Sequence, residues 1–250
     1  MSEPLFKIVG QSIVIAGAAS GLGRAMAQAL AARGASLTLA DISAAPLQAL
    51  ACDLGPGVAT HVANIAREAE VDALMAKATE RFGTVDGVVS TAGLLHIGPA
   101  LALEAERFKE TLDVNVTGAF LLSRAAARTM QNKGGRIVHF ASVSSLVANV
   151  NYAAYATSKA ALSQLVRVLA REWAPIGITV NAIGPAMTET GMTGGYLSDP
   201  SFRDQALASI PMGRFGTPED LIGPLLLLLS PAGAFITGQT LYVDGGRTLV

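Results

Sequence analysis

The chain of 250 residues has one cysteine, few charged residues and few aromatic residues. Cys52 has no second cysteine to pair with, which excludes an intrachain disulfide and a thiolate metal cluster and suits a reducing compartment, so we expect a cytoplasmic protein. Charged residues make up only 15% of the sequence, form no run of one sign and leave a formal net charge of -1. We therefore expect neither nucleic acid nor an anionic membrane surface as a partner.

Long hydrophobic runs and metal-binding patterns are also missing. The longest apolar run, Leu225–Leu229, is far shorter than the ~20 residues that a membrane-spanning helix requires. The first ten residues lack the basic-then-apolar order of a secretory signal. His61, His96 and His139 are scattered without ligand spacing, so we expect no metal site.

Short apolar runs alternate with longer segments of helical spacing along the whole sequence, and 51% of the residues are hydrophobic. This alternation predicts parallel strands joined by right-handed helical crossovers. The expected fold class is α/β, a single domain over residues 1–250 with a Rossmann-type, doubly wound, seven-stranded parallel sheet and helices on both faces. The predicted strands are 12–16, 36–40, 58–62, 85–90, 136–141, 178–183 and 240–243, and the predicted helices are 22–33, 46–54, 68–82, 111–131, 152–174 and 218–229.

A glycine-rich segment, Ala16-Gly17-Ala18-Ala19-Ser20-Gly21-Leu22-Gly23, lies between the first predicted strand and the first predicted helix. Its glycines let the backbone turn tightly and approach a pyrophosphate, whose charge then lies at the N-terminal amides of the helix. Many such loops only let a helix pack closely on a strand, but the position between a strand and a helix favours a nucleotide site. The predicted cofactor-binding residues of this segment are Gly17, Ser20, Gly21, Leu22 and Gly23.

Asp41, followed by Ile42, ends the second predicted strand. A carboxylate at this position can accept hydrogen bonds from both adenosine-ribose hydroxyls and would repel a 2'-phosphate, which favours NAD over NADP. Ala18 and Ala19 offer no basic side chain that could bind such a phosphate. The alternative is an aspartate that only caps the next helix.

Tyr155 and Lys159 lie four residues apart within a predicted helix, so their side chains share one face. An ammonium close to a tyrosine favours the phenolate and lowers the pKa of the hydroxyl from its usual ~10, which would let the tyrosine act as a general acid or base. The alternative is an ordinary amphipathic helix with a half-buried tyrosine and an exposed lysine.

Further segments follow in an order found in a known family. Ser142 closes the fifth predicted strand, thirteen residues before Tyr155. With these segments the chain resembles the short-chain dehydrogenase/reductase family from end to end, in its form of about 250 residues per subunit. The matching segments are the glycine turn with Asp41, Asn64-Ile65, Ser90-Thr91-Ala92-Gly93, Asn115 within Val114-Asn115-Val116-Thr117-Gly118, Ser142, Tyr155 with Lys159, Asn181-Ala182-Ile183-Gly184-Pro185, Thr188 with Thr190, and Gly238-Gln239-Thr240 through Asp244-Gly245-Gly246.

The resemblance implies an NAD-dependent enzyme that interconverts a secondary alcohol and a ketone by hydride transfer. It implies that Tyr155 transfers the proton and that Ser142 donates a hydrogen bond to the developing oxyanion. It also implies that Lys159 holds the nicotinamide ribose and lowers the pKa of Tyr155, while Asn115 positions a water that links Lys159 to solvent. The implied catalytic residues are Asn115, Ser142, Tyr155 and Lys159, and the other implied cofactor-binding residues are Ile42, Asn64, Ile65, Ala92, Gly93, Tyr155, Lys159, Pro185, Thr188 and Thr190.

Ser90 and Thr91 depart from the family pattern, which usually has two asparagines that tie the central strands together. We expect the two hydroxyls to replace those hydrogen bonds. The expected substrate pocket, under a lid at about 186–212, contains few charges, which favours a neutral alcohol or ketone over a phosphate or carboxylate. The candidate substrate residues are Leu95, His96, Ser144, Asn149, Tyr152 and Met192.

Three alternative functions involve another class of protein or another substrate. A methyltransferase also uses a glycine loop and an acidic residue after the second strand but needs no Ser142, Tyr155 and Lys159, and a non-catalytic dinucleotide sensor could lose these three residues. An NADPH-linked 3-oxoacyl-[acyl-carrier-protein] reductase is the main alternative, and Arg128, Lys133 and Arg136 are the candidates for its basic docking patch. The resemblance also implies a homotetramer. The sequence is compatible with this assembly, since several predicted helices are apolar over more than one face and would expose that surface in a monomer.

Overall fold

The structure of the chain, a computed structural model, describes residues 4–189 and 191–250 and contains a seven-stranded parallel sheet. Its strand order is β3-β2-β1-β4-β5-β6-β7, so the chain moves outward from β1 in one direction and then outward from β4 in the other. This topology confirms the predicted fold class, and it places a crevice at the carboxyl ends of β1 and β4, where ligands of such sheets bind. The strands are β1 (Ser12–Ala16), β2 (Ser36–Asp41), β3 (Val58–Val62), β4 (Gly87–Ser90), β5 (Gly135–Phe140), β6 (Ile178–Pro185) and β7 (Thr240–Val243).

Helices cover both faces of the sheet, as the apolar strands require. Every residue of β1, β4 and β6 is buried, which explains why these strands do not alternate between apolar and polar residues as strands with one exposed face do. One hydrophobic core lies between the sheet and α3, α5 and α6, and a second lies between the other face and α1, α2 and α9. The helices are α1 (Gly21–Ala31), α2 (Ala44–Leu54), α3 (Glu68–Phe82), α4 (Ala105–Leu112), α5 (Ala119–Met130), α6 (Ala153–Trp173), α7 (Gly191–Leu197), α8 (Pro200–Ala208) and α9 (Pro218–Leu229).

The predicted helix over 111–131 is wrong at its start. Helix α4 begins at Ala105 and is joined to α5 by a π-helical turn, Asp113–Gly118. Helix α4 has apolar residues at helical spacing, Ala105, Phe108 and Leu112, but half of its eight residues are charged. Ion pairs of 3.0 Å and 3.1 Å, Arg107–Glu110 and Lys109–Glu106, support its exposed side. π-Helical turns inside helices are frequent at functional sites, and this one carries Asn115.

Thr91 ties the end of β4 to the glycine turn after β1. Its hydroxyl lies 2.9 Å from the carbonyl oxygen of Ala16 and 3.1 Å from that of Gly17, so one donor is shared between two acceptors. At Thr91, the expected replacement of an asparagine by a hydroxyl is therefore confirmed. No helix within 4–189 and 191–250 is long and apolar enough to cross a membrane.

Candidate active site

A cavity of about 680 Å³ opens at the carboxyl ends of the strands. Its walls come from the glycine turn after β1, the ends of β2 and β4, the start of α6 and helices α7 and α8, which lie within the segment predicted to be a lid. The side chains singled out in the sequence as a dinucleotide site and as an acid–base group thus line one continuous space. The predicted residues that line it are Gly17, Ser20, Gly21, Leu22, Gly23, Asp41, Ile42, Ile65, Ala92, Gly93, Leu95, Ser142, Ser144, Asn149, Tyr152, Tyr155, Lys159, Pro185 and Thr188.

The glycine turn has geometry that side chains would block. Gly17 has a φ of +82° and Gly21 a φ of +50°, both in the left-handed region that favours glycine. A Cβ on Gly17 would lie 2.5 Å from the amide nitrogen of Ala92, and one on Gly23 would lie 2.0 Å from the carbonyl oxygen of Gly17. The two glycines therefore let the turn pack on β4 and α1, and the backbone of the turn forms a wall of the cavity at the N-terminus of α1.

Asp41 lies at the carboxyl end of β2, and backbone amides hold its carboxylate in place. One oxygen accepts from the amide of Ala19 at 3.0 Å and the other from the amide of Ser43 at 3.0 Å, so Asp41 also stabilises the turn before α2. Each carboxylate oxygen has a further lone pair. Since Asp41 and Ile42 line the cavity, both the capping and the ribose-binding interpretations agree with the geometry.

Asn64 does not line the cavity, although Ala63 and Ile65 on either side of it do. The side-chain oxygen of Asn64 accepts from the backbone amide of Ala66 at 2.9 Å, and the backbone amide of Asn64 donates to the carboxylate of Glu70 at 2.7 Å. This arrangement turns the chain after β3 so that Ile65 lies at the cavity. The side chain of Asn64 therefore organises the turn rather than facing the cofactor space.

Tyr155, Ser142 and Lys159 lie together where β5 ends and α6 begins. Burial raises the pKa of Tyr155 to about 12, while a hydrogen bond with Ser142 acts in the opposite direction. The ammonium of Lys159 lies 5.5 Å from the centre of the Tyr155 ring. The expected lowering of the Tyr155 pKa by Lys159 is thus not the dominant effect in the protein alone, because the loss of water around the phenol outweighs it.

Lys159 is a buried ammonium, 5% exposed, at the floor of the site. Its Nζ donates to the carbonyl oxygen of Phe140 at 2.7 Å, and burial lowers its pKa to about 8. A Cβ added to Gly93 would lie 3.6 Å from this Nζ. The glycine after β4 therefore leaves room for the ammonium beside the cavity.

Asn115 is buried below the site and does not line the cavity. Its Oδ1 accepts from the amide of Leu94 at 2.7 Å, and its Nδ2 donates to the Leu94 carbonyl at 3.0 Å and to Ser158 Oγ at 2.9 Å. Ser158 in turn donates to the carbonyl of Tyr155 at 2.7 Å. Asn115 thus connects the loop after β4 to the turn of α6 that carries Tyr155 and Lys159.

We expect Lys159→Met to stabilise the protein at neutral pH. The folded-state pKa of about 8 is below the unfolded value of 10.5, so below pH 8 the folded state carries the full penalty of the buried charge. That penalty is roughly 3 kcal/mol, less about 1 kcal/mol for the lost hydrogen bond to Phe140. Between pH 8 and 10.5 the unfolded state of the wild type binds more protons than the folded state, so the wild type gains stability as pH rises. The stability difference between Lys159→Met and the wild type therefore becomes smaller. Thermal unfolding of both proteins at pH 7 and pH 10, at equal concentration, measures this difference. A difference that is the same at both pH values would contradict the prediction.

The remaining predicted cofactor residues lie after β6. Pro185 and Thr188 line the cavity, and Thr188 Oγ1 donates to the carbonyl of Ala186 at 3.0 Å. Thr190 is outside the described residues. Two of these three implied cofactor-binding residues, Pro185 and Thr188, therefore reach the cavity.

Four of the six candidate substrate residues line the cavity: Leu95, Ser144, Asn149 and Tyr152. His96 does not line it, because its ring turns toward α4, where Nδ1 lies 2.9 Å from Thr111 Oγ1. The side chain of Met192 is outside the described residues.

The sequence predicts a lid at about 186–212, but it does not predict helix α8 or the residues of this segment that line the cavity. Helix α8 begins with Asp199 as a cap, whose Oδ1 accepts from the amide of Ser201 at 2.9 Å, and with Pro200 in its first turn. This Asp-Pro pair is a helix-start signal that could have predicted α8. Arg247, from the turn after β7, had no such signal. The residues of the predicted lid segment that line the cavity on and near α8 are Phe202, Gln205, Ala206, Ser209 and Ile210.

Comparisons with known proteins agree with this geometry. A family model described as Enoyl-(Acyl carrier protein) reductase matches residues 17–248. Galactitol 2-dehydrogenase (L-tagatose-forming) from Cereibacter sphaeroides is 37% identical over 248 residues, which cover 98% of each protein. The 3-oxoacyl-[acyl-carrier-protein] reductase of Escherichia coli (strain K12) is 36% identical over 242 residues, 96% of this chain and 98% of that protein.

A solved structure extends the comparison to the whole fold. The gluconate 5-dehydrogenase from Burkholderia cenocepacia J2315, in complex with NADP and tartrate, has a TM-score of 0.94 at 32% sequence identity, covering 99% of this chain and 98% of that one. The family match, the identities over nearly the whole chain and the seven-stranded sheet agree. The chain is therefore an oxidoreductase that belongs to the short-chain dehydrogenase/reductase family.

Proposed function

We propose that the protein is an NAD(H)-dependent oxidoreductase that interconverts a secondary alcohol and a ketone, with Tyr155 as the general acid/base. The observation that carries this proposal is that Ser142, Tyr155 and Lys159 line the same cavity as the glycine turn and Asp41. A dinucleotide held at the glycine turn extends along the carboxyl edge of the sheet toward Tyr155. The cavity residues therefore fit a nicotinamide cofactor.

The cofactor, when bound, supplies a carbon that accepts or donates hydride. In oxidation, the phenolate of Tyr155 takes the proton of the substrate hydroxyl, and in reduction the phenol returns it. Ser142 donates a hydrogen bond to the substrate oxygen, which carries negative charge during the reaction. Lys159, held by the Phe140 carbonyl, provides the nearby positive charge that favours the phenolate.

Asp41 supports NAD as the cofactor. Its carboxylate lies at the cavity end of β2 and would be next to a 2'-phosphate, where two negative charges repel. Ile42 is 70% exposed and provides no positive charge for such a phosphate. The gluconate 5-dehydrogenase that resembles this chain was solved in complex with NADP. We therefore attribute the proposed preference of this chain for NAD to Asp41 and Ile42 rather than to the fold.

An NADPH-linked 3-oxoacyl-[acyl-carrier-protein] reductase is the second candidate, because a relative of that name is 36% identical. The predicted docking patch of Arg128, Lys133 and Arg136 gives it little support. Lys133 is paired with Asp86 at 2.6 Å, and the half-buried Arg136 donates to the carbonyl of Gly135 at 3.2 Å. A basic patch for an acidic carrier protein would keep these charges free for the partner.

A screen of NAD reduction over secondary alcohols tests the proposal. Polyols, sugar acids, steroids and alicyclic alcohols are offered with NAD and, separately, with NADP, and absorbance of the reduced cofactor is followed. We expect at least one alcohol to be oxidised with NAD in preference to NADP. Turnover of an acyl-carrier-protein thioester with NADPH, together with no NAD-dependent alcohol oxidation, would favour the second candidate.

The homotetramer stays a prediction that the family resemblance and the surface support. Val168 on α6 and Phe235 after α9 are apolar and exposed in the isolated chain. Burial of such surface between copies would stabilise an assembly. Light scattering should give about four times the chain mass of 25.6 kDa.

A further inference from the structure

Arg247 brings a positive charge to the wall of the cavity. It follows β7, whereas the glycine turn follows β1, and the strand order separates β1 from β7 by four strand spacings, roughly 19 Å. Asp41, the last residue of β2, is one strand spacing farther away. The guanidinium is therefore too far from the pyrophosphate-binding turn to serve the cofactor there, and it lies at the other end of the cavity.

The turn that carries Arg247 is held firmly. Asp244 accepts from the amides of Gly246 at 3.0 Å and Thr248 at 2.8 Å. Gly246 has a φ of +90°, and the carbonyl of Gly245 accepts from the amide of Met212 at 3.0 Å, at the end of the lid. The backbone of Arg247 is thus fixed between the carboxyl end of β7 and the lid.

Hydrogen bonds connect Arg247 to the catalytic serine. Arg247 Nη2 donates to Asn149 Oδ1 at 3.0 Å, and Asn149 Nδ2 donates to Ser144 Oγ at 3.3 Å. The amide of Ser144 then donates to Ser142 Oγ at 3.1 Å. Ser144 and Asn149 also line the cavity, so this chain of polar groups runs along its wall from the guanidinium to the reacting centre.

The charge of Arg247 has no acidic side chain as a partner within the described residues. Its Nη1 donates to the main-chain oxygen of the exposed residue Val250 at 3.3 Å, a long contact that solvent screens. Arg203 in the lid and Arg214 after it differ, since Arg203 is paired with Glu189 at 3.2 Å and Arg214 with Asp220 at 2.7 Å. Three of the five N–H groups of Arg247 remain for a ligand.

We propose that Arg247, oriented by Asn149, binds the carboxylate of a hydroxy-acid substrate whose secondary hydroxyl lies at Ser142 and Tyr155. This inference rests on the proposed function, and it replaces the expectation of a neutral substrate, which was based on a pocket with few charges. One guanidinium matches one negative charge, which favours a carboxylate over a phosphate dianion. The carboxylate does not react: the carbinol C–H leaves as hydride to NAD, and the O–H proton goes to Tyr155.

Matched pairs of polyol and sugar acid test this inference. Galactitol with galactonate and glucitol with gluconate differ only in a terminal CH₂OH or carboxylate. Wild-type protein, Arg247→Gln and Arg247→Lys are compared by kcat/KM with NAD and by calorimetric titration of each compound into protein saturated with NADH. Arg203→Gln is the matched control, because it removes a lid charge that is already paired with Glu189.

We expect the wild type to favour at least one acid over its polyol, and Arg247→Gln to reduce that ratio by roughly 10- to 100-fold, mainly through KM. The acid-to-polyol ratio of Arg247→Lys should lie between the ratios of the wild type and of Arg247→Gln, and Arg203→Gln should leave the ratio unchanged. Equal or tighter binding of the polyols in both pairs, or an acid preference that survives Arg247→Gln, would overturn the inference. Acid binding that depends on Arg247 without any turnover would instead count against the proposed function, and turnover of polyols alone would count against this inference only.

Discussion

Tyr155→Phe is expected to reduce turnover by about 10²- to 10⁴-fold in both directions, the contribution typical of a positioned general acid or base. The substitution removes one hydroxyl and keeps the ring. Lys159 keeps its hydrogen bond to Phe140, and the glycine turn is not touched, so NADH should bind with nearly unchanged affinity. Steady-state kinetics and a fluorescence titration with NADH measure the two effects separately.

The pH profile adds a readout that damage to the fold would not produce. Burial raises the pKa of Tyr155 to about 12 and the bond with Ser142 lowers it, so the phenolate needed for oxidation becomes more populated as pH rises. Alcohol oxidation by the wild type should therefore increase with pH, and the residual activity of Tyr155→Phe should lack this dependence. The matched variant Ser142→Ala should be slower and should shift the rise to higher pH. Substantial activity of Tyr155→Phe with the wild-type pH profile would rule out Tyr155 as the proton donor.

The sheet and its helices could be predicted because burial on both faces leaves a strong signal in the sequence. Strands such as β1 consist almost entirely of apolar residues, and helices such as α3 and α6 have regular apolar spacing. Helix α4 has apolar residues at helical spacing, but it is only eight residues long and half of them are charged, so its signal is short. Helix α7 contains three glycines, so its formation depends on packing that the local sequence does not encode.

The cofactor and acid–base residues could be predicted for a different reason. Parallel strands bring their carboxyl ends to one edge, so residues that follow different strands meet there even when they are far apart in sequence. The same rule applies to Arg247 after β7, but a single arginine near the C-terminus gives no pattern to recognise. The depth of the cavity, the position of the lid and the pKa of Tyr155 depend on packing between segments. Sequence periodicity contains none of these quantities.

Asp41→Ala combined with Ile42→Arg is expected to shift cofactor preference from NAD toward NADP by about 10²-fold in the ratio of kcat/KM values. The first change removes repulsion of a 2'-phosphate, and the second adds a charge-assisted hydrogen bond to it, each of the order of 1–2 kcal/mol at a partly exposed site. Ile42 is exposed at the cavity, so an arginine can be placed there without disturbing the core. Initial rates with both cofactors at a fixed alcohol concentration measure the shift.

Asp41→Asn is the control that separates charge from structure. Asparagine keeps one side-chain oxygen, which can accept from either the amide of Ala19 or that of Ser43, whereas alanine loses both bonds. The asparagine variant should therefore be less destabilised than the alanine variant, and without the negative charge it should lose part of its discrimination against NADP. The single changes Asp41→Ala and Ile42→Arg, together with the double change, form a cycle that shows whether their effects on cofactor preference add. If Asp41→Asn leaves the ratio of NAD to NADP turnover unchanged, the carboxylate does not select the cofactor, and the preference must come from groups elsewhere on the cavity wall.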